Sequence, residues 1–130
     1  MIKPHVVLDA SALIAYFKQE KGYQEVSNAL ANGAAISTVN LGEVYGKIVS
    51  EGWNLEEISP RLKALGLLIV PFGEEEAKIT AELYRIGTSV GLSLGDRACL
   101  SLGLKLGLQV LTTDKTWSKL NLQIDVRVLR

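Results

Sequence analysis

The sequence predicts an α/β domain, a three-layer α/β/α sandwich with a central, mostly parallel sheet of four to five strands. Three observations lead there. Short, continuous apolar runs recur along the chain. Segments of helical periodicity separate them, and the runs lack the alternating polar positions of a sheet with one wet face. The 130 residues carry no internal repeat, low-complexity tract or Pro/Gly/Ser linker, so the chain reads as one domain over 1–130.

The elements follow in order. Val6, Val7 and Leu8 form a β-branched run that reads as a buried strand ending at Asp9, and Ser11 to Phe17 has helical character. Tyr23 to Leu30 suggests a second helix closed near Gly33, before a short strand at Ala34 to Ser37. Glu43 falls on the next helix, whose core face is Leu41, Val44, Tyr45 and Ile48, and Gly52 stops it. Leu55 to Leu65 is amphipathic and ends at Gly66; Leu67 to Val70 is a strand cut by Pro71. Glu74 to Val90 reads as one helix, with three acids in a first turn that suits the positive end of its dipole and Gly91 as its stop. Leu94 to Leu106 is helical up to Gly107, Gln109 to Thr112 is the fourth strand, and Val126 to Leu129 a short last one.

Composition narrows the function. Fourteen Lys plus Arg balance fourteen Asp plus Glu, which excludes a protein that grips nucleic acid by global charge; such a partner would be held locally or through bound cations. The lone Cys99 has no intramolecular partner, and no Cys/His cluster has zinc spacing. No secretory h-region or membrane-length apolar stretch is present, so the expectation is a cytoplasmic protein without a membrane partner.

The acids then stand out. In open α/β sheets the functional crevice lies beyond the carboxyl ends of the strands. Asp9 follows strand one, Asp114 follows strand four, Glu43 sits early on the helix after strand two, and Asp96 lies in the first turn of the helix leading into strand four. Each also has a local explanation. Asp9 would cap the helix starting near Ala10, Glu43 would pair with Lys47, Ser93 and Asp96 have capping-box spacing, and Asp114 would open a short helix through Trp117. Together, on a shared rim, they make a place for hard cations.

Ser11, Thr112 and Thr113 neighbour the aspartates and would fix a carboxylate rotamer, or else serve as a helix cap and ordinary strand residues. Arg97, Lys115 and Lys119 are the first candidates for substrate contact, against the alternative of solvated surface charge. Trp53 and Trp117 read as packing residues, Cys99 as a buried small hydrophobe, and His5 as outside any chemistry.

At this point the residues resemble the PIN-domain family, and within it the VapC toxins of type II toxin-antitoxin modules. The matching stretches are Val7-Leu8-Asp9-Ala10-Ser11-Ala12-Leu13, Asn40-Leu41-Gly42-Glu43-Val44, Leu94-Gly95-Asp96-Arg97-Ala98, and Leu111-Thr112-Thr113-Asp114 with Trp117. The resemblance implies that Asp9, Glu43, Asp96 and Asp114 ligate Mg2+ or Mn2+, with Ser11 and Thr112 in support and Asn40 as a substrate or supporting contact. It also implies an RNA substrate, a cognate antitoxin that covers the acidic rim, and a homodimer. Many relatives carry Phe where Trp117 stands, and the resemblance leaves open which of Thr112 and Thr113 is the supporting threonine.

Four carboxylates in one crevice repel, and a divalent cation removes that penalty; oxygen-only donors favour magnesium or manganese over zinc. The expected reaction is metal-dependent endoribonucleolytic cleavage of a phosphodiester by in-line attack of an activated water, leaving 5′-phosphate and 3′-hydroxyl ends. The alternatives are a housekeeping PIN-type RNA-processing nuclease and a catalytically silent α/β binding or receiver-like module. A receiver needs an acidic pair on its first strand and a haloacid-dehalogenase-type phosphatase needs D-x-D, whereas Ser11 holds the third position here.

Overall fold

The computed structural model describes residues 3–130; Met1 and Ile2, the start of the expected 1–130 domain, lie outside the described residues. Its five strands are β1 (Val6–Leu8), β2 (Ala34–Ser37), β3 (Leu67–Val70), β4 (Gln109–Thr112) and β5 (Val126–Val128). They form one sheet in the order β3-β2-β1-β4-β5, and every pairing is parallel. The first strand in sequence is therefore the middle one in space, with β2 and β4 on either side.

The helices are α1 (Ala10–Lys18), α2 (Tyr23–Asn32), α3 (Thr38–Ser50), α4 (Leu55–Ala64), α5 (Glu74–Glu82), α6 (Tyr84–Val90) and α7 (Leu94–Leu106), and a short 3-10 turn covers Lys115–Lys119. Successive strand side chains point to opposite faces, and the core divides accordingly. Leu8, Ala34, Ile36 and Leu111 pack with apolar residues of α1 to α4, including Leu13, Leu30, Val44 and Leu62. Val7, Ala35 and Val110 pack on the other face with Leu83, Cys99, Leu100, Leu102 and Trp117. Two cores on one sheet make the predicted three-layer sandwich. The edge strand β3 is less enclosed than a continuous apolar run suggests, with Leu68 36% exposed.

Glu74 to Val90 is not one helix, and that corrects the sequence reading. It breaks at Leu83, between α5 and α6. An uninterrupted helix would use the Thr80 carbonyl to accept from the N–H four residues on. Here the Arg97 guanidinium takes it instead, Nη1 donating to Thr80 O at 3.1 Å, with the guanidinium carbon 5.4 Å from the centre of the Tyr84 ring. A side chain from α7 has thus replaced a rung of the helical ladder. Lower on the same face, buried Glu76 accepts from the Gly73 N–H and from the Lys105 ammonium, tying α5 to α7.

Candidate functional site

Asp9 ends the central strand and caps α1. Its Oδ1 accepts from the Ala12 N–H at 2.8 Å and from the Ser11 hydroxyl at 2.7 Å; its Oδ2 accepts from the Thr112 hydroxyl at 2.5 Å. The capping explanation is thus realised, and two side-chain hydroxyls add to the cap on the same carboxylate. Only 5% of the residue is exposed. Burial pushes its pKa up from 3.8 to about 6, against the lowering effect of the Thr112, Ala12 and Ser11 donors, and the charge of Asp96 adds to the rise.

Each supporting hydroxyl has a second tie. The Thr113 N–H donates to Ser11 Oγ at 3.0 Å, and the Asp114 N–H donates to Thr112 Oγ1 at 3.1 Å. Both hydroxyls accept an N–H from the loop after β4, which turns their single protons toward Asp9. Thr112 therefore supplies the side-chain donor to Asp9, and Thr113 contributes its backbone.

Glu43 is exposed on α3 and does not pair with Lys47, which bridges instead to Glu51 at 3.6 Å. Its partner is Asn40, one helical turn earlier. Asn40 is buried, and its Nδ2 donates both to Glu43 Oε1 and to the Gly95 carbonyl, each at 2.9 Å. One amide thus pins the Glu43 carboxylate against the first turn of α7. Its Oδ1 is buried and has no partner among the described residues, so an oxygen donor remains free beside that carboxylate.

Asp96 and Ser93 form the capping box that their spacing suggests, with the Ser93 N–H donating to Asp96 Oδ2 and the Asp96 N–H to Ser93 Oγ. Asp114 is exposed and caps the 3-10 turn, its Oδ1 accepting from the N–H and hydroxyl of Thr116. Beneath the acids, the fully buried Cys99 thiol is pushed well above its ordinary range, first by desolvation and then by the charges of Asp9, Asp96 and Glu43. Asp9, Asp96 and Glu43 thus lie near enough to the buried thiol for their charges to bear on it. Asp114 is linked to them through its backbone and Thr112 rather than through its carboxylate.

The oxygens suit a hard divalent cation chemically. None of the four acids takes part in an ion pair among the described residues, so their charge is uncompensated by protein. Among the described residues, no three His, Cys, Asp or Glu side chains converge closely enough to hold one ion, because Asp96 and Asp114 are turned into their own caps. The cations differ in availability. Arg97 is committed to Thr80, whereas Lys115 and Lys119 are exposed and make no ion pair among the described residues. Trp117 is fully buried, while Trp53 is 46% exposed and meets Phe17 edge-on at 6.4 Å. Sequence reasoning missed the clamp made by Arg97, since a cation beside an acid looks like a substrate contact when its partner lies seventeen residues upstream.

A parallel sheet with an oxygen-lined polar site at the carboxyl end of its middle strand defines an α/β domain of the doubly wound class. The sequence matches the PIN domain family over residues 6–122, and the chain belongs to that family. A search of curated proteins gave no sequence match. Solved structures share the fold. A chain of VapBC2 from Rickettsia felis, bound to a DNA fragment from its promoter, superposes with a TM-score of 0.70 at 20% identity, covering 96% of this chain and 98% of that one. DNA-bound VapBC from Salmonella typhimurium gives 0.70 at 16%, covering 98% and 100%. FitAcB from Neisseria gonorrhoeae gives 0.62 at 17%, covering 93% and 95%. No helix among the described residues is long and apolar enough to cross a membrane.

Proposed function

We propose that this chain is a Mg2+- or Mn2+-dependent endoribonuclease and the toxin of a toxin-antitoxin pair. The observation that carries this reading is the Asp9 carboxylate, buried at the end of the central strand and held by three donors, with no ion-pair partner among the described residues. Burying an unpaired carboxylate is costly, and a site that accepts that cost is suited to a cation supplied from outside.

Asp9 would be the central ligand, with Glu43, Asp96 and Asp114 around it; the last two would leave their caps to contribute. Ser11 and Thr112 hold Asp9 in one rotamer, and Asn40 does the same for Glu43. A cation held by these carboxylates would supply charge neutralisation for a scissile phosphodiester and a more acidic water for in-line attack. Lys115 and, more weakly, Lys119 would meet phosphate oxygens, whereas the Arg97 guanidinium is engaged with the Thr80 carbonyl at the α5–α6 junction. The likeness to chains from VapBC and FitAB complexes supports a protein antitoxin as the partner that covers the acidic rim, and family likeness supports a cytoplasmic homodimer.

The test is RNA cleavage by the purified chain, with growth followed during expression. Wild type should cut RNA only with divalent metal, leaving 5′-phosphate and 3′-hydroxyl ends, and should arrest growth. Asp9→Asn should do neither while keeping its fold. Cleavage undiminished in excess chelator, or products ending in 2′,3′-cyclic phosphate, would contradict the proposal.

A further inference from the structure

We propose that Gly95 is a positioning residue whose missing side chain makes the space in which the Glu43 carboxylate rests at the acidic rim. This rests on the metal-site reading above. A Cβ built on Gly95 would stand 2.7 Å from both carboxylate oxygens of Glu43 and 2.8 Å from its Cδ. Real side chains do not approach so closely, so a methyl group at this position and the present Glu43 placement exclude each other.

The backbone gives no other reason for glycine here. Gly95 lies in the first turn of α7 without the positive φ that marks Gly22, Gly33, Gly52, Gly66, Gly91 and Gly107. Alanine has the better helix propensity at such a position. What glycine provides is proximity: its carbonyl and the Glu43 carboxylate share the two hydrogens of the Asn40 amide. The cradle therefore has two parts, a donor that holds Glu43 and a gap that admits it, and it sets the carboxylate beside the residue that precedes Asp96.

Because the atoms met by a new methyl are the far end of a flexible side chain, the fold should absorb it and Glu43 should swing away. Two other glycines serve as references. Gly42, next to Glu43 on α3, faces open space, and a Cβ there meets nothing within 4 Å. Gly103, further along α7, would drive a Cβ to 2.5 Å from Val110 Cγ2 in the core. The first substitution should be silent, and the second should damage the fold itself.

The experiment measures Mn2+ binding to metal-free protein by calorimetry together with the metal-free Tm, for wild type, Gly95→Ala, Gly42→Ala, Glu43→Gln and the Glu43→Gln/Gly95→Ala double variant. Gly95→Ala should keep or raise the Tm and bind Mn2+ about 10- to 100-fold more weakly, the range for removing support from a metal ligand. Gly42→Ala should bind as wild type does. Adding Gly95→Ala to Glu43→Gln should cost nothing further, because the glycine acts through that carboxylate. Three results overturn the proposal alone: unchanged Mn2+ affinity in Gly95→Ala, an equal loss in the Glu43→Gln background, or a metal-free Tm well below that of wild type. Wild-type protein that takes up no Mn2+ overturns the metal reading, and this proposal with it.

Discussion

Asp9 and Asp114 begin from one local device and end in different chemistry. Each follows a parallel strand, and each caps the helical turn that comes next. Asp9 is enclosed between β1, α1 and the end of β4, with donors from Ser11, Ala12 and Thr112. Asp114 stands one step outside, exposed, with its carboxylate closed on Thr116. An N-cap aspartate in water is a structural part worth about 1 kcal/mol. The same group desolvated at the end of the middle strand is ionised at a cost, which a bound cation would offset. Enclosure, and not the strand-end position, separates the two.

The sharpest probe of this contrast is pH. Burial raises the Asp9 pKa from 3.8 to about 6 in the folded chain. The stability linked to its proton is fully present below about pH 4 and is lost as pH rises through about 6, to the extent of roughly 3 kcal/mol. Metal-free wild type should therefore lose Tm across that window relative to Asp9→Asn, as followed by thermal melts. Mn2+ affinity should move the other way, falling as Asp9 takes up its proton below about pH 6. A Tm difference that stays flat between pH 4 and 7 would show that Asp9 is not desolvated in solution.

Removing one donor should have a smaller effect. Thr112→Val takes the hydroxyl from Asp9 and the acceptor from the Asp114 N–H, at a cost of about 1–3 kcal/mol for the unsatisfied groups. Metal affinity should fall about tenfold. Denaturant melts and calorimetry measure the two separately. The smallest effect belongs to the outer aspartate: Asp114→Ala should cost about 1 kcal/mol by loss of the cap, and Asp114→Asn next to nothing, since Asn caps equally well. A stability loss in Asp114→Asn comparable to that of Thr112→Val would mean that the two positions are not distinguished by enclosure.

Much of this architecture was legible in the residues because the relevant signals are local. The apolar runs at Val6–Leu8, Ala34–Ser37, Leu67–Val70 and Gln109–Thr112 coincide with β1 to β4, and the Ser93–Asp96 spacing produced its capping box. What escaped depends on partners far along the chain. The interruption at Leu83 reflects Arg97 taking the Thr80 carbonyl, which no propensity within Glu74 to Val90 encodes. Glu43 declined the Lys47 pairing that i,i+4 spacing favours because Asn40, anchored on Gly95, holds it more firmly. The choice between Thr112 and Thr113 likewise needed strand register, since adjacent residues of an extended chain face opposite ways.

The parallel pairing of β1 with β4 has a consequence for biosynthesis. Asp9 receives its Thr112 hydrogen bond across 103 residues of sequence, and such distant pairings form slowly and late. A nascent chain leaving the ribosome carries its first aspartate long before the strand that completes its surroundings emerges. Through most of translation the polypeptide thus lacks an assembled centre, and any hydrolytic capacity appears only when the C-terminal third docks.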